Sequence, residues 1–74
     1  MNLDFEGFQK TVNSGISITF VKIDNDTEYF DIVESDNGYY VFNYYEKGVL
    51  CHVYVTQNYE EMVYELIPNF LKSK

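Results

Sequence analysis

The chain has 74 residues, a formal charge of −7 and no arginine, so it makes one domain with a small core and no basic face. A chain of this length buries only about 60% of the surface its unfolded form exposes, so bulky side chains must compensate. Six Phe and eight Tyr provide that bulk, each able to bury roughly 150–250 Å². Cys51 is the lone cysteine and His52 the lone histidine, which rules out an internal disulfide and disfavours a metal core.

The opening Met1-Asn2-Leu3-Asp4 lacks the basic-plus-apolar pattern of a secretory signal. No apolar run approaches the roughly 20 residues that span a bilayer. An unpaired cysteine suits a reducing compartment, so the expected location is cytoplasmic. Direct nucleic-acid binding needs Lys or Arg to displace counterions from phosphates. Five lysines, two of them at Lys72 and Lys74, supply no such face, and the same charge opposes an anionic membrane.

In chain order, Leu3, Phe5, Phe8 and Val12 have the spacing of a short amphipathic helix over 3–12. Gly7 weakens this helix by up to about 1 kcal/mol, and Asn13-Ser14-Gly15 would stop it. Ile16–Ile23 alternates as a strand, Asp24-Asn25-Asp26 turns, and Thr27–Glu34 forms a second strand. Asn37-Gly38 is a hairpin signal before a third strand, Tyr39–Tyr45. Lys47-Gly48 then turns into a fourth, Val49–Thr56. Short connections make neighbouring strands antiparallel.

The last element is a helix capped by Asn58, with Glu61 three residues on. Tyr59, Met62, Val63, Leu66 and Phe70 share one stripe. Pro68 predicts a break near Ile67. The expected fold over residues 1–74 is a single α+β domain: a four-stranded antiparallel meander flanked by an N-terminal and a C-terminal helix, α-β-β-β-β-α.

A two-residue loop at Lys47-Gly48 sets Tyr44 opposite Cys51, Phe42 opposite Val53 and Tyr40 opposite Val55. That face is the expected core, with Cys51 inside it. The other face carries Tyr39, Val41, Asn43, Tyr45, Leu50, His52 and Tyr54. Tyr39, Tyr45, His52 and Tyr54 form a candidate aromatic contact patch, unless the N-terminal helix covers them or two copies pack together there.

Candidate chemistry is sparse. Cys51 and His52 are consecutive on a strand and point to opposite faces, so they cannot act as a dyad. Asp24, Asp26 and Glu28 echo a calcium loop, but Tyr29 stands where its glycine belongs and Ser35 where its last carboxylate belongs. No catalytic residue, metal ligand set or cofactor site is assigned, and the chain is expected not to be an enzyme.

Half of the twelve acidic residues lie between positions 24 and 36: Asp24, Asp26, Glu28, Asp31, Glu34 and Asp36. They form a candidate acidic stripe for a basic protein partner, or for imitating a nucleic-acid backbone. Edge protection and helix solvation are the plain alternatives, the latter for Glu60, Glu61 and Glu65. Absent Arg and Ala beside abundant Asn, Ile, Tyr and Lys match AT-rich codons, hence a low-GC bacterium, phage or mobile element. The function expected is a non-catalytic protein-binding module, such as a small accessory or inhibitor protein acting on a host protein. A self-associating homodimer is the rival.

Overall fold

Turns that demand a left-handed backbone set the topology. The computed structural model describes residues 3–74 and, within them, every side chain except those of residues 12–14. Five strands form one antiparallel sheet in the order β1-β2-β3-β4-β5: Phe8–Ser14, Ser17–Lys22, Glu28–Glu34, Tyr40–Glu46 and Val49–Thr56. At the β4–β5 turn Lys47 and Gly48 both have positive φ, 53° and 77°, the conformation that matches the twist of a two-residue hairpin. At Asn37-Gly38 only Gly38 turns left-handed. The β3–β4 connection is a longer loop, closed by the Ser35 hydroxyl donating to the Tyr39 carbonyl at 3.0 Å.

The expected N-terminal helix is not there. Residues 8–14 are β1, paired with β2, and the single helix among the described residues is C-terminal. Gly7 takes φ +85° in a turn closed by the Phe8 N–H donating to the Phe5 carbonyl at 3.1 Å. That one turn satisfies the i, i+3 spacing of Phe5 and Phe8, and both rings meet Phe30, at 5.3 and 5.0 Å. Beyond it, Thr11 and Val12 are β-branched and favour a strand. Val12's side chain, counted in the expected helical stripe, lies outside the described residues. Asn13 and Ser14, expected to stop the helix, instead end β1, and Gly15-Ile16 makes the turn to β2. The described residues therefore form two layers, one sheet and one helix.

The helix, α1, runs over residues 59–72 as α-helical Tyr59–Glu61, a π turn Met62–Leu66 and α-helical Ile67–Lys72. Asn58 caps it, its side chain accepting from the Glu61 N–H at 3.1 Å. The Glu61 carboxylate reaches back to the Thr56 hydroxyl, which accepts from the Asn58 N–H at 3.1 Å. This is a capping box relayed through one more side chain. The break expected near Ile67 is replaced by widening. The Ile67 N–H donates five residues back to Met62, which absorbs the donor that Pro68 lacks without ending the helix. No helix among the described residues is long and apolar enough to cross a membrane.

Alternation puts Phe20, Phe30, Ile32, Phe42 and Tyr44 on one face of the sheet, where Met62, Val63 and Ile67 of α1 cover them. Phe5 tucks in at the edge, 4.9 Å from Phe20. Phe30 is the hub, its ring 5.1 Å from Phe20 and 5.2 Å from Phe42. Phe30→Ala is expected to cost about 3–5 kcal/mol, most of the stability of a small domain. Ile23→Ser, on an exposed side chain, should change it by under about 0.5 kcal/mol. Urea unfolding of both variants checks this.

Candidate interaction surfaces

The register of β4 and β5 decides which side chains form a surface. Glu46 opposes Val49 and Tyr45 opposes Leu50, but Tyr44 opposes His52, Phe42 opposes Tyr54 and Tyr40 opposes Thr56. Cys51 is the extra residue of a β-bulge. The expected pairing of Tyr44 with Cys51 therefore fails, and every partner from there to the end of β5 is displaced by one. A one-residue displacement exchanges the two faces of a strand.

His52 and Tyr54 consequently point under α1. The His52 ring stacks on Phe70 at 4.7 Å and meets Tyr54 edge-on at 4.5 Å. Its Nε2 is buried without a hydrogen-bond partner. Cys51 is exposed instead, with its thiol 3.3 Å from the Val49 carbonyl. Both residues thus stand on the faces opposite to those expected.

The candidate aromatic patch is divided by this exchange. Tyr45 lies on the outer face, stacked on Tyr29 at 4.8 Å, while Tyr39 sits in the loop before β4. His52 and Tyr54 are on the covered face. Around Tyr45 the outer face carries a different set. The ladder aligns Val21, Tyr29, Tyr45 and Leu50 in one row, Thr19, Asp31, Asn43 and Val53 in the next, and Ser17, Val33, Val41 and Val55 in the third. Leu50, Val53 and Val55 are 48%, 44% and 58% exposed. Both α1 and the segment 3–5 lie on the opposite side, so the outer face has no second layer among the described residues. Burial among its neighbours, then Asp31, then Tyr29, push the Tyr45 phenol up from its ordinary pKa.

The six carboxylates of the candidate stripe fall in separate places. Asp24 and Asp26 occupy the β2–β3 turn, while Glu34 and Asp36 stand at the other end of β3, about 20 Å away along a seven-residue strand. Asp31 is on the outer face, accepting from the Asn43 amide at 2.9 Å. Glu28 points to the covered face, where it accepts from the buried Tyr44 hydroxyl and faces Lys22 at 3.7 Å and Lys74 at 3.9 Å. Lys74 also pairs with Glu46 and lies 4.5 Å above the Tyr44 ring. That hydrogen bond and charge hold the Glu46 carboxyl below its usual range. Glu28 and Glu46 thereby hold Lys74 over the Tyr44 ring.

Among the described residues, no three His, Cys, Asp or Glu side chains converge to hold a metal ion. An open groove between Leu3–Gly7 and α1 carries Asp4, Glu6 and Lys72 on its walls without gathering them into a site. Comparison with protein-family models, with curated proteins and with solved structures gives no match. Val53 and Val55 were expected on the covered face because a two-residue turn does not disclose a bulge. One signal was available: Val49–Thr56 contains no Asp, Glu, Lys or Arg.

The Tyr44 phenol is pushed well above its ordinary pKa by burial, then by the hydrogen bond to Glu28 and that carboxylate's charge. Burial raises Tyr59 too. A raised folded pKa gives stability that is complete below the unfolded value of 10.0 and lost as pH rises beyond it. The melting temperature should therefore fall steeply from pH 10 towards about pH 11. Tyr44→Phe should be less stable at neutral pH by about 1–2 kcal/mol, with a shallower alkaline fall. Thermal melts between these pH values measure both.

Proposed function

We propose that this chain is a non-catalytic protein-binding module that engages its partner through the outer face of the sheet. The observation that carries the reading is the uncovered surface of β3, β4 and β5, where Tyr29, Tyr45 and Leu50 on one side and Val33, Val41 and Val55 on the other flank Asp31, Asn43 and Val53. Among the described residues, the one helix lies on the opposite side and no other element covers it. Contiguous apolar surface on a small domain marks a contact site, and stacked tyrosines with wet hydroxyls are favoured interface residues.

Charge supports a role in steering. Asp24 and Asp26 at one end, with Glu34 and Asp36 at the other, bracket the face as an acidic rim. A partner with an apolar patch and basic surroundings complements both. The separation of the carboxylates favours this arrangement over imitation of a nucleic-acid backbone, which needs them in one continuous track. Cys51 and His52 pointing apart supports the non-catalytic half of the reading. The lone thiol supports a reducing, cytoplasmic setting. Acidity and the abundance of residues with AT-rich codons support an accessory or inhibitor role for a phage or mobile element acting on a host protein.

The test is a quantitative pull-down from a low-GC bacterial lysate with three baits. A partner held by the wild type should be lost at least about tenfold by Val41→Lys, which places a charge between Val33 and Val55 on the face. Asp24→Asn with Asp26→Asn should weaken capture by less than about threefold and reduce its salt sensitivity. Equal capture by the Val41→Lys bait, with its circular dichroism unchanged, would contradict the assignment.

A further inference from the structure

We propose that the free edge of β5 pairs antiparallel with β5 of a second copy, joining two five-stranded sheets into one. The edge presents the main chain of β5, whose Val53 and Val55 also border the outer face, whereas Val41, the residue that tests partner capture, lies on β4 away from this edge. Dimerisation and partner capture can therefore fail or succeed separately.

The sheet order leaves two edges, β1 and β5, and they are unlike. β1 carries exposed Gln9, Lys10 and Thr11 and a register shift between Val12 and Ser14. Polar side chains, lysine and bulges are the devices that keep an edge from pairing. β5 is the longest strand, eight residues, and has no charged side chain. Its bulge at Cys51 lies near its start, so His52–Thr56 runs as a regular edge. Free main-chain donors and acceptors beside exposed Val53 and Val55 form a template for another strand.

The occupant follows from charge and symmetry. Two chains of −7 repel wherever carboxylates meet, and β5 holds none of the twelve. A two-fold axis through the sheet near Val53 sets this valine against its own counterpart and keeps every cross-strand pair free of like charges. The same axis leaves both helices on one side and makes the two outer faces continuous. Because Lys10 and the β1 bulge guard the other edge, association closes at two copies instead of growing into a fibre. A single strand pairing buries less than the roughly 800 Å² per partner of a standard interface, so the dimer is weak.

Sedimentation equilibrium decides the matter. The weight-average mass should rise from one chain at about 5 µM towards two at about 500 µM, the range suited to a small interface. Association should tighten as salt rises, because salt screens the repulsion between like-charged copies. Val53→Lys sets two ammonium groups face to face on an exposed site and should remain a monomer throughout, with melting at low concentration unchanged. Should that variant not fold, hydrogen exchange of the wild type replaces it. Amides of His52–Thr56 should gain protection with concentration. A single-chain mass at every concentration, a Val53→Lys dimer, or amide protection independent of concentration would overturn the proposal.

Discussion

Between the pairs Tyr44–His52 and Tyr45–Leu50 the ladder absorbs one residue, Cys51, and the consequences reach both sides of the sheet. An unbulged strand would send Cys51, Val53 and Val55 under α1 and leave His52 and Tyr54 in solvent. The bulge sends the large rings inward instead. Phe70 of α1 then lies 4.7 Å from His52 and 4.9 Å from Tyr44, so the last turns of the helix have aromatic surface to pack on. Valines are left on the outside. The helix dock and the exposed face come from the same inserted residue.

The core is a layer of rings between one sheet and one helix, which explains how 74 residues close without a disulfide. Each ring buries a large area, and offset or edge-on contacts add a further contribution. The cost is that all this bulk sits on one side. Where a sheet has two faces and the described residues supply one helix, apolar residues on the second face are left to solvent, another copy or a partner. The half-buried Tyr29, Val33, Val41 and Tyr45 are protected only by neighbours on the same face, and towards β5 even that protection ends.

Local signals gave the parts of the fold that depend on local physics. Asn58 and Glu61 mark the helix start because capping is decided within four residues, and β-branched alternation marks β2 and β3. Two features could not be read in this way. Phe5 and Phe8 are spaced as on a helix because a single turn at Gly7 also brings residues three apart together. The periodicity was real and its cause was different. The bulge leaves no mark in Leu50-Cys51-His52, since the gain that drives it is packing against Phe70, a residue on another element. The acidic residues were legible as a count between positions 24 and 36. Their dispersal required the strand lengths and the Glu28–Tyr44 bond.

Thiol reactivity of Cys51 is the most direct measurement of the bulge, and through it of the exposed face. In the folded protein at low micromolar concentration, where strands do not pair, an aromatic disulfide reagent should modify Cys51 within a few-fold of the rate for a short unfolded peptide. His52→Phe, which keeps the stack on Phe70 and removes the orphaned Nε2, should leave that rate unchanged. A thiol that reacts only at the rate of global unfolding would place Cys51 in the core opposite Tyr44. In that case the valines of β5 would turn inward, and the outer face would lose the surface on which the binding role rests.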